Sequence, residues 1–110
     1  MKKLLFITAL SLAIIPLHLT PQASAADTKN GAKVFGSYCA GCHRHGGNIV
    51  NPEKTLKKEA LEKSGKASAE AIKRQVTNGA GAMPAFKTSL SDKQIEDVVA
   101  YVLEQAEKGW

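Results

Sequence analysis

Hydrophobic positions fall into one long block followed by short periodic runs. The block comes first: Lys2 and Lys3 precede an apolar stretch from Leu4 to Leu19, broken by the polar residues Thr8, Ser11 and His18. Pro21 and the small triplet Ala23-Ser24-Ala25 follow. A basic start, an apolar centre and a small-residue cut site are the three parts of a secretory signal peptide, with cleavage expected after Ala25. A membrane anchor would need roughly 20 largely apolar residues. Pro16 and His18 cut this run short, and no later run could span a bilayer.

The rest, residues 26–110, reads as one domain with helical periodicity and no strand pattern. Asp27 and Thr28 can cap a first helix carrying Gly31, Val34, Phe35 and Tyr38, ending near Cys39. Turn formers occupy Gly46-Gly47-Asn48 to Asn51-Pro52. A lysine-rich helix is expected from Thr55 to Lys63, closed by Ser64-Gly65. Ser68 precedes another over Ala69 to Thr77, with Ile72 and Val76 on one face and Asn78-Gly79 as its stop. Ser91 and Gln94 have capping-box spacing, and Ile95, Val98, Val99, Val102, Leu103 and Ala106 keep the i, i+3, i+4, i+7 rule of an amphipathic helix. The predicted fold class is all-α, with about four short helices and long loops.

Size changes that picture. Removing 25 of 110 residues leaves 85, small enough that an apolar core alone is marginal and a staple is needed. Two cysteines allow at most one disulfide, so the thin core hints that something else fills the interior. Charge adds less: without Lys2 and Lys3 the balance is 13 basic against 10 acidic residues. That modest excess can bias docking toward an acidic partner, but it lacks the dense basic stripe of a nucleic-acid binder. The lysines at 54, 57, 58, 63 and 66 alternate with Glu53, Glu59 and Glu62 and read as a solvated face.

The staple is written at Cys39-Ala40-Gly41-Cys42-His43, a Cys-x-x-Cys-His motif that reads as a c-type haem attachment site. Thiols three residues apart near a helix end can reach two vinyl groups of one porphyrin, and the next imidazole can bind the iron. A thioredoxin-like dithiol would need a strand-helix context that is missing. Cys39, Cys42, His43 and His45 are too crowded along the chain to wrap one zinc ion. A structural disulfide would leave His43 unexplained.

An electron carrier also needs its second axial position closed. His18 leaves with the signal peptide, and His45, two residues past His43, reads as an exposed loop residue. Met83 is the only methionine left. It sits in the small-residue loop Gly79 to Phe86, where Pro84 holds it away from helical angles. His/Met ligation favours Fe(II) and raises the potential. With both axial sites closed, substrate has no open iron position, which favours electron transfer over a haem peroxidase or gas-reactive enzyme.

Further blocks extend the pattern: Gly31-Ala32-Lys33-Val34-Phe35, Pro52-Glu53-Lys54-Thr55-Leu56, Gln75-Val76-Thr77-Asn78-Gly79, Ala82-Met83-Pro84-Ala85-Phe86 and the ending Glu107-Lys108-Gly109-Trp110. With the haem motif, the chain resembles the cytochrome c6 family, class I c-type cytochromes of cyanobacteria and algae. The resemblance implies a class I cytochrome c fold around one covalent haem c, with the first and last helices crossing so that Gly31 and Phe35 meet Val98 and Tyr101. It implies electron shuttling from the cytochrome b6f complex to photosystem I in the thylakoid lumen (or periplasm), with cytochrome c oxidase as a further acceptor. It also implies that Gln75, eight residues before Met83, contacts the haem and keeps its potential high. One departure stands out. After Ala-Phe the family usually reads Gly-Gly-Arg-Leu, with an arginine that docks photosystem I. Here the residues are Lys87-Thr88-Ser89-Leu90, so Ser89 stands at the arginine and Lys87 is the nearby charge that can replace it. A respiratory periplasmic carrier, or a divergent paralogue with another partner, is the alternative this leaves.

Overall fold

The computed structural model describes residues 10–17, 19 and 25–110. Most of the expected signal peptide, including Ala23 and Ser24 of its cut site, lies outside the described residues. Residues 10–17 have no regular secondary structure, and their apolar side chains are exposed (Leu10 92 %, Ile14 87 %). Among the described residues no helix is long and apolar enough to cross a membrane.

Five α-helices follow: α1 (Thr28–Tyr38), α2 (Ala40–His43), α3 (Lys58–Lys63), α4 (Ala69–Asn78) and α5 (Asp92–Lys108). No strand forms among the described residues beyond a single bridge between Ala80 and Met83. The expectation was about four helices. The extra one is a single turn across the cysteine motif, separated from α1 by a break at Cys39 (φ −119°). The lysine-rich helix also starts later than Thr55. Leu56 N–H donates to Gly46 O at 2.8 Å, and Lys54 N–H closes a turn on Asn51 O at 2.9 Å. Lys57 stays extended (ψ 148°), so the helical backbone begins only at Lys58.

The other boundaries follow local chemistry. The Asp27 carboxylate accepts from Lys29 N–H and Asn30 N–H at 3.0 and 3.1 Å, satisfying two free amides of α1. Ser68 caps α4 through Ala71 N–H at 3.2 Å. Ser91 and Gln94 form a complete capping box on α5. Gly79, at φ 67°, ends α4 with a conformation that side chains resist.

The core lies where α1 and α4 pack on α5, with Val34, Phe35, Ile72, Val76, Ile95, Val98, Val99 and Val102 buried together. α1 and α5 touch backbone to backbone at Gly31. A Cβ there would stand 2.6 Å from the Asp97 carbonyl carbon and 2.8 Å from Tyr101 Cβ. Phe35 stacks on Tyr101 with ring centroids 5.4 Å apart. The expected crossing of first and last helices is therefore present, with Asp97 the nearest neighbour of Gly31.

Asp97 is a feature the sequence reading passed over. It is 1 % exposed, on the otherwise apolar face of α5. Its carboxylate accepts from Asp27 N–H at 2.8 Å, from Asn30 Nδ2 at 2.9 Å and from the Lys93 ammonium. Burial alone would raise its pKa, but these donors outweigh burial and hold it below the usual carboxylate range. The start of α1 is thus tied to the middle of α5.

Candidate haem cleft

The core is not closed on all sides. Phe35, Leu61, Ile72, Val76, Val98 and Val102 also line a cleft of about 600 Å³, within the span of about 300–1,000 Å³ typical of cofactor sites. The same cleft is lined by Cys39, Cys42, His43, Gln75 and Met83. Residues from the start, middle and later part of the domain meet there.

The attachment motif owes its geometry to α2. His43 N–H donates to Cys39 O at 2.9 Å and Cys42 N–H to Cys39 O at 3.2 Å, closing one helical turn. Residues three apart share a face of such a turn, so both thiols present to the cleft. Neither is in a disulfide. Burial pushes the Cys39 thiol up to about 11, which keeps it protonated and a poor nucleophile in this apolar wall. Among the described residues no three of His, Cys, Asp and Glu gather as a metal-binding group, and His45 is exposed on a left-handed residue (φ 54°).

His43 is oriented by its own loop. Its Nδ1 lies 2.8 Å from Gly47 O. A carbonyl can only accept, so Nδ1 carries the proton and Nε2 keeps a free lone pair, the tautomer a metal ligand needs.

Met83 comes from the loop between α4 and α5. Its N–H and C=O exchange hydrogen bonds with Ala80, both 3.0 Å. Gly79 lies so close beneath that a Cβ would stand 2.6 Å from Met83 O and 2.7 Å from Ala85 N. Phe86 N–H donates to Val76 O at 2.9 Å and anchors the loop to α4. Gln75 Nε2 donates to Met83 Sδ at 3.7 Å, and both side chains line the cleft.

A thiol pair on one helical turn, a neutral imidazole with a free nitrogen, a thioether and apolar walls are a donor set that fits haem c. The remaining assignments divide. Lys87 and Ser89 are exposed and lie outside the cleft lining. Lys54, Lys57, Lys58 and Lys63 are exposed, as a solvated face requires, although Lys54 also borders the cleft; Lys66 is half-buried in the cleft lining. For Lys66 alone the solvated-face reading is corrected. Asn48, Val50 and Asn51 also line it. Their sequence marks them only as turn residues, and no local signal distinguishes a turn that borders a cleft from one that does not.

Comparison with known proteins agrees with the site. Residues 26–102 match the family model described as cytochrome C oxidase, cbb3-type, subunit III. Cytochrome c6 of Thermosynechococcus vestitus is 55 % identical over 109 residues, covering 99 % of this chain and 96 % of that protein. Cytochrome c6 of a Synechococcus species is 56 % identical over 110 residues, covering 100 % and 98 %. The solved structure of cytochrome c6 from the diatom Phaeodactylum tricornutum aligns with a TM-score of 0.75 at 48 % identity, covering 77 % of this chain and all of that one. Identity above half, sustained along almost the entire chain, means that it belongs to the cytochrome c6 family of c-type cytochromes, electron-transfer proteins rather than enzymes.

Proposed function

We propose that residues 26–110, released by cleavage after Ala25, carry single electrons from the cytochrome b6f complex to photosystem I in the thylakoid lumen (or periplasm), with cytochrome c oxidase as a second acceptor. The observation that carries this reading is that one apolar cleft gathers Cys39, Cys42, His43 and Met83. Cys39 and Cys42 would hold one haem c through thioethers, and His43 Nε2 and Met83 Sδ would be its axial ligands. When bound, that group supplies a reversible Fe(III)/Fe(II) couple.

The chain's own residues do the rest. The Gly47 carbonyl keeps His43 in its ligating tautomer. The Gly79–Ala80 turn fixes the Met83 backbone, and the Gln75 amide, donating to Met83 Sδ, draws electron density from the thioether and favours the reduced state. The buried aliphatic walls exclude water, which limits solvent reorganisation. Ile49 and Val50, 70 % and 63 % exposed, stand next to Cys42, since Ile49 N–H donates to Cys42 O at 3.1 Å. They offer an apolar contact at the cleft margin, and Lys87 supplies a charge for weak, salt-sensitive docking.

A redox titration paired with photosystem I reduction kinetics at several salt concentrations tests the assignment. A high midpoint with fast, salt-dependent reduction is expected. A low midpoint or no photosystem reaction would remove the photosynthetic role and leave the respiratory alternative, which Ser89 at the docking position favours. Haem staining after denaturing electrophoresis checks covalent attachment separately.

A further inference from the structure

Trp110 is far from the haem motif in sequence but reaches the same loop in space. Its indole lies against Gly46, where a Cβ would stand 2.5 Å from Cδ1 and closer still to Cγ and Cδ2. Only glycine leaves room, and Gly46 also has φ 73°. The indole Nε1–H donates to Leu56 O at 2.9 Å. Leu56 N–H in turn donates to Gly46 O at 2.8 Å. The Gly46–Gly47 peptide is therefore held from two sides, by the ring face and by a relay of hydrogen bonds that begins at the same ring. The next carbonyl along, Gly47 O, is the one that accepts from His43 Nδ1 at 2.8 Å. This support is needed because His45 and Gly46 are consecutive left-handed residues, one of them not glycine. Phe35, with its centroid 5.2 Å from the indole, and Tyr101 at 6.0 Å fix the ring from behind.

We infer that Trp110 is a positioning residue for His43: by fixing the Gly47 carbonyl it sets the strength of the Nδ1–H bond, and through it the reduction potential. A strong bond from the non-ligating nitrogen makes the imidazole a better donor, which favours Fe(III). Loosening the loop weakens the bond, so the midpoint rises. The inference rests on the haem reading above and on His43 as axial ligand.

The chain has one tryptophan, so biosynthetic replacement with benzothienylalanine changes this position alone, keeping the bicyclic shape and removing the N–H. Trp110→Phe is a second variant that removes the N–H together with part of the ring. On the haem-loaded protein we expect a raised midpoint and exchange of the His43 Nδ1 proton, followed by NMR, faster by about tenfold, the worth of one hydrogen bond. Thermal stability is measured alongside. A lower melting temperature with midpoint and exchange rate both unchanged would reduce Trp110 to a structural clasp and overturn the inference. Absence of covalent haem in the parent protein would overturn the haem reading as well, so the two failures are distinguishable.

Discussion

Substituting Gly31 with alanine should separate the two helices that make the core. The new Cβ would lie 2.6 Å from a backbone carbon of Asp97 and 2.8 Å from Tyr101 Cβ, against at least 3.4 Å for ordinary contact. The obstacles are backbone and a Cβ, which no rotamer change can clear. α1 must therefore retreat by about 1 Å, a gap that forfeits a quarter to a half of each packing contact it opens. Overpacking of this kind costs about 1–3 kcal/mol, and rigid opposition places Gly31→Ala near 3. Alanine returns about 1 kcal/mol of helix propensity. The net loss of about 2 kcal/mol corresponds to a fall in Tm of about 8–16 °C for a domain of this size. Gly36 is the internal control: it sits in the same helix, is exposed, and nothing lies within 4 Å of its Cβ position. Gly36→Ala should therefore stabilise by about 1 kcal/mol. Far-UV circular dichroism melts of both haem-loaded variants provide the assay. If Gly31→Ala melts at or above the parent temperature, the close approach does not govern this packing and the argument fails.

Three further outcomes follow from the same geometry. Gln75→Val removes the donor to Met83 Sδ and should lower the midpoint in a redox titration; an unchanged midpoint would mean the 3.7 Å contact does not tune the iron. Met83→Ala should admit cyanide to the haem iron, read from the visible spectrum, whereas a cyanide-resistant variant would mean another sixth ligand. Asp97→Asn should destabilise the fold at neutral pH by about 2 kcal/mol, the scale of hydrogen bonds to a charged group. Because its carboxyl is held below the ordinary value, its contribution is fully present above about pH 4 and fades as pH falls through the lower folded value. Urea unfolding across the acid range should show that loss in the parent and a flatter profile in the variant.

What could be read in advance was whatever local pattern encodes. α5 follows from its apolar period and capping box, and the haem motif from the spacing of Cys39, Cys42 and His43. Met83 emerged by elimination. Pairings distant in sequence left no such trace. Asp97 meets Asp27 and Asn30 across separations of 70 and 67 residues, and within α5 an aspartate four residues after a lysine reads as a solvent-facing pair. The indole of Trp110 reaches Leu56 from 54 residues away, and nothing local to Gly46 marks it as the ring's bed. Thr55 to Lys57 fell on the wrong side of a helix boundary because propensity does not register that Leu56 is tied to Gly46 and Lys57 stays extended.

The pairing of α1 with α5 also imposes an order in time. The helix that begins the domain has its principal partner at the other end, so the contact cannot form until almost the whole chain has been made. Such long-range closure is slow compared with local helix formation. Throughout synthesis, the turn bearing Cys39 and Cys42 belongs to a chain with no finished core around it. Until the last helix arrives, the walls of the cleft cannot close in around those thiols.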